Sequence, residues 1–144
     1  MKIYSEQEML DFGENYAKSI LSMNNVQQNL PEAKAIELVG DVGAGKTTFV
    51  RGLAKGLGIK ESVTSPSFTI SKIYAMNNGG NLVHYDFYRL SDPGLMSDDL
   101  RENLSNPKNI VVIEWGESVK NLLPDNHTII EIEQTPSFRN LNIR

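Results

Sequence analysis

Residues Gly40 to Thr47 read GDVGAGKT, which satisfies every fixed position of the pattern G-x-x-x-x-G-K-[ST] of a phosphate-binding P-loop. Glycines at 40, 43 and 45 are expected to free the backbone so that successive N–H groups turn inward on a phosphate. Lys46 would add a positive charge near the β and γ phosphates, and the Thr47 hydroxyl is the natural first protein ligand for Mg²⁺. The plain alternative is a glycine turn beside an exposed lysine. Context argues against it, because the loop must leave a strand and open a helix. Ala35 to Val39 is a short apolar strand candidate. After Lys46 the apolar residues Val50, Leu53, Ala54 and Leu57 fall at helical spacing. The helix would then point the positive end of its dipole at the phosphates.

The 144 residues suit a single domain, 1–144, with one core. A net charge of −4 leaves no basic footprint for gripping DNA or RNA directly. Met1-Lys2-Ile3-Tyr4 carries no charged-then-apolar leader. The longest aliphatic run, Ile110 to Ile113, is far too short for a bilayer. A cytoplasmic location without membrane contact is therefore expected. The absence of cysteine excludes disulfide and thiolate chemistry and permits a reducing compartment.

Ser5 and Glu8 have the spacing of a capping box, predicting a helix from there to about Met23. Val26 to Lys34, with Pro31, reads as a loop, and Gly56 and Gly58 mark the end of the P-loop helix. Thr69 to Ala75 and Leu82 to Leu90 flank Asn77-Asn78-Gly79-Gly80, which predicts an antiparallel hairpin. In its second strand Val83, Tyr85 and Phe87 share one face, and His84, Asp86 and Tyr88 the other. Further elements are a helix at Leu95 to Leu104, a buried strand at Asn109 to Trp115 and a short helix near Glu117 to Leu122. A second hairpin, Thr128 to Glu133 with Phe138 to Ile143, is joined at Pro136. This order predicts an α/β P-loop NTPase fold: a parallel core sheet, antiparallel strands at its edges and helices on both faces. The nucleotide is expected at the carboxyl ends of the parallel strands.

A P-loop needs an acid at the end of a neighbouring strand to hold Mg²⁺, directly or through water. Glu114 ends the apolar run Ile110 to Ile113 and has the right placement; otherwise it marks where the strand meets solvent. Asp86 is the rival acid, as a second metal ligand or as the group orienting the attacking water, against an ordinary exposed strand residue. His84 reads as an oriented hydrogen-bonding residue rather than a general base. His84 and His127 lack metal-ligand spacing, so zinc has no support. Arg89 suits a charge-stabilising finger and a surface salt bridge equally well. No N-K-x-D tetrapeptide for guanine occurs, so ATP is the expected nucleotide.

Together, Gly40-Asp41-Val42-Gly43-Ala44-Gly45-Lys46-Thr47-Thr48, Ser65-Pro66-Ser67-Phe68, His84-Tyr85-Asp86-Phe87-Tyr88-Arg89 and Glu114-Trp115 resemble the bacterial TsaE (YjeE) family over nearly the whole chain. Ser67 stands where that family commonly has threonine, and Gly116 where proline usually follows Glu-Trp; neither change removes a catalytic group. The resemblance implies a Mg²⁺-dependent ATPase that assists threonylcarbamoyl modification of the tRNA adenosine next to the anticodon. It would act with TsaD and TsaB and reach tRNA only through them. It also implies that Lys46 binds phosphate and that Thr47 and Glu114 bind Mg²⁺. Thr48, Asp86 and Trp115 would serve ATP turnover or partner coupling, and Ser5 to Gly13 would supply adenosine contacts. A small-molecule phosphotransferase with Asp86 as base for an acceptor hydroxyl stays open as the alternative, and a non-hydrolysing nucleotide sensor as a third class.

Overall fold

The computed structural model describes residues 1–26, 32–66, 69–88, 90, 92 and 94–144, with the side chains of residues 23–26 left out of the description. Ser67, Phe68, Arg89 and the loop around Pro31, all singled out in the sequence, lie outside the described residues. The chain divides into two compact units. The first comprises residues 1–29, 39–64 and 130–144, the second 30–38 and 65–129.

In the first unit, strand β1 (Lys2–Ile3) precedes helix α1 (Glu6–Val26). The capping box is present with one adjustment. The Ser5 hydroxyl accepts the Glu8 N–H at 3.1 Å, but the Glu8 carboxylate reaches back to the N–H of Tyr4, at 2.8 Å. Helix α2 (Lys46–Gly56) packs on α1, and its apolar stripe Val50, Leu53, Ala54 and Leu57 is buried as its spacing predicts. The close approach of the two helices depends on Gly52, where a Cβ would collide with the carbonyl oxygen of Leu10.

Strands β6 (Thr128–Gln134) and β7 (Arg139–Ile143) form the expected second hairpin, in register from Ile130↔Ile143 to Gln134↔Arg139. β1 pairs antiparallel with β7, Ile3 opposite Arg139. This two-residue strand has no periodicity to betray it in the sequence. It is pinned by the Leu141 N–H to the Met1 carbonyl at 2.7 Å and the terminal ammonium of Met1 to the Leu141 carbonyl at 3.0 Å.

The second unit holds β2 (Lys34–Val39, its last residue belonging to the first unit), β5 (Ile110–Glu114), β4 (Asn81–Asp86) and β3 (Ser71–Ala75), side by side in that order. β2, β5 and β4 are parallel, and β3 closes the edge as the antiparallel partner of β4. β4 ends four residues earlier than its sequence suggests, at Asp86: the Phe87 N–H makes one last bond to the Glu114 carbonyl, and the Phe87 carbonyl then accepts the Leu90 N–H as the chain turns. Val83, Tyr85 and Phe87 join Val111, Ile113 and the α3 (Leu95–Leu104) residues Leu100 and Leu104 in one apolar cluster. The short helix after β5 is a 3-10 helix, Gly116–Leu122, whose Val119 belongs to the same cluster. Among the described residues no helix is long and apolar enough to cross a membrane.

Candidate functional site

The phosphate loop leaves β2 at Val39 and enters α2 at Lys46. Gly43 and Gly45 have φ of +84° and +109°, the left-handed region that disfavours side chains. Gly40 is needed for a different reason than expected. Its φ is not in that region, but a Cβ there would lie 2.6 Å from the Ile132 carbonyl oxygen and 3.3 Å from the Ala44 side chain. The requirement at position 40 is space. Asp41, Val42 and Gly43 stand exposed at the loop's rim, whereas Ala44 and Lys46 are buried.

Among the described residues no side chain caps the start of α2, and no acid sits in its first turn, so its leading N–H groups are suited to an external anion. Lys46 Nζ donates to the Gly40 carbonyl at 2.5 Å, which keeps the ammonium against its own loop. Thr47 and Thr48 follow it, both half-buried.

A pocket of about 420 Å³ adjoins this loop within the first unit. Ala44, Gly45 and Thr48 line it on the loop side, Ile3 to Glu6 and Met9 on a second side, and Pro136 to Arg139 on a third. The Tyr4 and Phe138 rings lie 5.8 Å apart, and the Lys2 ammonium sits 4.8 Å from the Phe138 ring centre. The structure thus brings Ser5 to the phosphate loop's own pocket, together with Tyr4, Phe138 and Arg139, which sequence reasoning missed. They arrive through the β1–β7 pairing, for which the only available signal was the hairpin around Pro136.

In the second unit, Asp86 and Glu114 end neighbouring parallel strands as Cα partners in the ladder. Glu114 is 3% exposed and Asp86 8%, which removes the readings of a strand tip in solvent for the first and an exposed strand residue for the second. His84, on the same face of β4, is fully buried, and its Nε2 lies 2.5 Å from Glu114 Oε2. The reading of His84 as an oriented hydrogen-bonding residue therefore holds.

Asp86 Oδ1 accepts the Tyr88 N–H at 2.9 Å, and the Asp86 N–H is held by the Ile70 carbonyl at 2.7 Å. Tyr88, expected on the face of His84 and Asp86, instead lies past the strand end and is exposed. Its ring meets Trp115 at 4.8 Å. Trp115 takes a left-handed conformation, φ +56°, and stays 37% exposed, so it is not a packed core residue.

Among the described residues no three His, Cys, Asp or Glu side chains cluster as a metal cage. The Glu114 carboxylate, 3% exposed, and the Thr47 hydroxyl are hard oxygen donors of the kind that could hold Mg²⁺, which uses one or two protein groups and relies on phosphates and water for the rest. His127 is occupied by the Pro124 carbonyl at 2.7 Å and the Glu37 carboxylate at 3.2 Å.

The glycine loop between a parallel strand and an uncapped helix, with acids ending the neighbouring parallel strands, defines a P-loop NTPase fold of the α/β class. A crystal structure of Bacillus subtilis YdiB superposes with a TM-score of 0.71 at 27% identity, over 99% of this chain and 82% of that one. The family model for the threonylcarbamoyl adenosine biosynthesis protein TsaE matches residues 3–141, and the chain belongs to that family. The TsaE protein of Haemophilus influenzae is 33% identical over 142 residues, 98% of this chain and 85% of its own length. That of Treponema pallidum is 42% identical over 96 residues, 67% and 70% of the two chains. The chain is thus a TsaE-family protein of tRNA threonylcarbamoyladenosine biosynthesis.

Proposed function

We propose that the protein is a Mg²⁺-dependent ATPase whose turnover serves the threonylcarbamoyl modification of the tRNA adenosine beside the anticodon, in concert with TsaB and TsaD. The observation that carries this reading is the P-loop itself: left-handed Gly43 and Gly45, buried Lys46 and a helix start with no side-chain cap. The adjoining pocket, about 420 Å³ with the Tyr4 and Phe138 rings near its edge, falls in the range of small-ligand sites and suits an adenosine moiety. Ser5, Thr48 and Trp115 are proposed as further nucleotide contacts.

Lys46 and the backbone of residues 40–45 would bind the phosphates, with Thr47 and Glu114 as the protein ligands of Mg²⁺. A metal held there would supply positive charge to offset the negative charge that develops on the phosphates. Asp86 would orient the attacking water and accept its proton. A net charge of −4 supports action on tRNA through partner proteins rather than by direct contact, and the proposed place of that action is the cytoplasm, away from membranes.

The test is phosphate release by the protein alone and with the TsaB–TsaD complex. A rise with the partners is expected. A rise with a small metabolite instead would establish the phosphotransferase alternative, and ATP binding without phosphate release beside the partners would establish a nucleotide sensor.

A further inference from the structure

The His84–Glu114 pair has a feature that fold stability does not explain. Both side chains are buried, at 0% and 3% exposure, and joined at 2.5 Å. The other ring nitrogen, Nδ1, is buried with no hydrogen-bond partner among the described residues. In the ladder His84 stands opposite Val112, which stands opposite Ile36 on β2, and both of these are fully buried. An apolar side chain would therefore suit the position and leave no polar atom stranded. Among the described residues the polar contact that offsets the burial of this histidine is the one with the Glu114 carboxylate. With Nδ1 unpartnered, the tautomer that satisfies this geometry carries the proton on Nε2 and donates it to Oε2, leaving an acceptor rather than a donor unpaired.

We propose that His84 is the positioning residue for Glu114: its Nε2–H fixes the carboxylate at the end of β5 and thereby sets how readily the protein takes up Mg²⁺ with its nucleotide. The proposal rests on the reading of Glu114 as a metal ligand. Residues two apart on β4 share a face, so His84, one pleat before Asp86, reaches diagonally to the residue opposite Asp86. The strand pairing thus places a donor beside the acid without occupying the strand end. Carboxylates that ligate metals are themselves held by hydrogen bonds, and losing such a partner commonly costs ~10–100-fold in metal affinity.

The experiment is a calorimetric titration of Mg²⁺ into the full chain saturated with a non-hydrolysable ATP analogue, for wild type, His84→Leu, His84→Gln, Glu114→Gln and His84→Leu/Glu114→Gln. Phosphate release against Mg²⁺ concentration is followed in parallel, and thermal melts confirm folding. His84→Leu should raise the half-saturating Mg²⁺ by ~10-fold or more. His84→Gln, which keeps an N–H donor near the Nε2 position, should restore most of it. The double variant should bind no worse than Glu114→Gln alone, since His84 acts through that carboxylate.

If Glu114→Gln shifts the Mg²⁺ dependence and His84→Leu does not, the positioning role is overturned while the metal reading stands. If Glu114→Gln itself changes nothing, the metal reading falls and the proposal with it. Equal rises in the Leu and Gln variants would assign the effect to packing and also overturn it. Should His84→Leu fail to fold, His84→Met supplies the donor-free variant for the same comparison.

Discussion

Asp86 and Glu114 are direct Cα partners at the carboxyl ends of two adjacent parallel strands, yet their side chains are engaged differently. Asp86 Oδ1 accepts the Tyr88 N–H and so closes the turn after β4, whereas Glu114 Oε2 meets His84. Two acids on one register line thus meet different partners, which lets them take separate roles at the carboxyl ends of their two strands.

That separation predicts different phenotypes. Asp86→Asn keeps an oxygen for the Tyr88 N–H but cannot accept a proton from water. MgATP should bind with little loss, while phosphate release in the presence of TsaB and TsaD falls by ~100-fold or more, the usual scale for a lost general base. Wild-type release by this variant would make Asp86 a turn-closing residue only.

Lys46 is buried against the Gly40 carbonyl and carries the positive charge of the phosphate loop. Lys46→Ala should abolish or severely weaken MgATP binding while the circular dichroism spectrum stays that of the wild type. Near-normal affinity by calorimetry in the folded variant would remove the loop from nucleotide binding.

Gly52→Ala tests the packing of α1 on α2. The added methyl would press on the backbone of Leu10, which cannot move as a side-chain tip can. The expected destabilisation is ~1–3 kcal/mol, the range for overpacked cores, read as a lower melting temperature and urea midpoint. An unchanged midpoint would mean the two helices separate without cost.

Tyr85 gives an alkaline signature. Burial, and then its hydrogen bond to Asp99 at 2.6 Å, raise the phenol well above its ordinary 10.0. Above pH ~10 the unfolded chain loses this proton while the folded chain keeps it, so folding stability falls as pH rises through that region. Tyr85→Phe should remove this contribution. At neutral pH it should cost ~1 kcal/mol, because Asp99 and Asn103 lose their shared partner. Chemical denaturation from pH 8 to 11 separates the two effects, and an equally steep alkaline loss in the variant would contradict the assignment.

Trp115, the single tryptophan, follows Glu114 in a left-handed conformation and stays partly exposed beside Tyr88. Its fluorescence should change on addition of MgATP to the wild type and stay constant in Lys46→Ala. A flat signal through a titration that calorimetry shows to be saturating would separate Trp115 from the nucleotide site.

The phosphate loop was legible from residues 40–47 because its determinants are local: glycine spacing, a preceding apolar strand and a following helical stripe. Glu114 was legible for the same reason, ending a recognisable apolar strand, and Asp86 was legible as one residue of a strand read on to Leu90; that the strand stops at Asp86 came only with the structure. Alternation along β4 likewise sorted Val83, Tyr85 and Phe87 from His84 and Asp86. What it could not reveal is that both faces are buried. Period two states which side chains share a face and says nothing of what covers it.

The meeting of His84 with Glu114, the docking of Tyr85 on Asp99 and the pairing of β1 with β7 were decided by the tertiary structure alone. Each joins residues 14 to about 140 positions apart; the first and third depend on strand order and register, and the second on how α3 packs on β4. Those are set by which apolar faces bury one another, a property of the whole chain that no local window of residues carries.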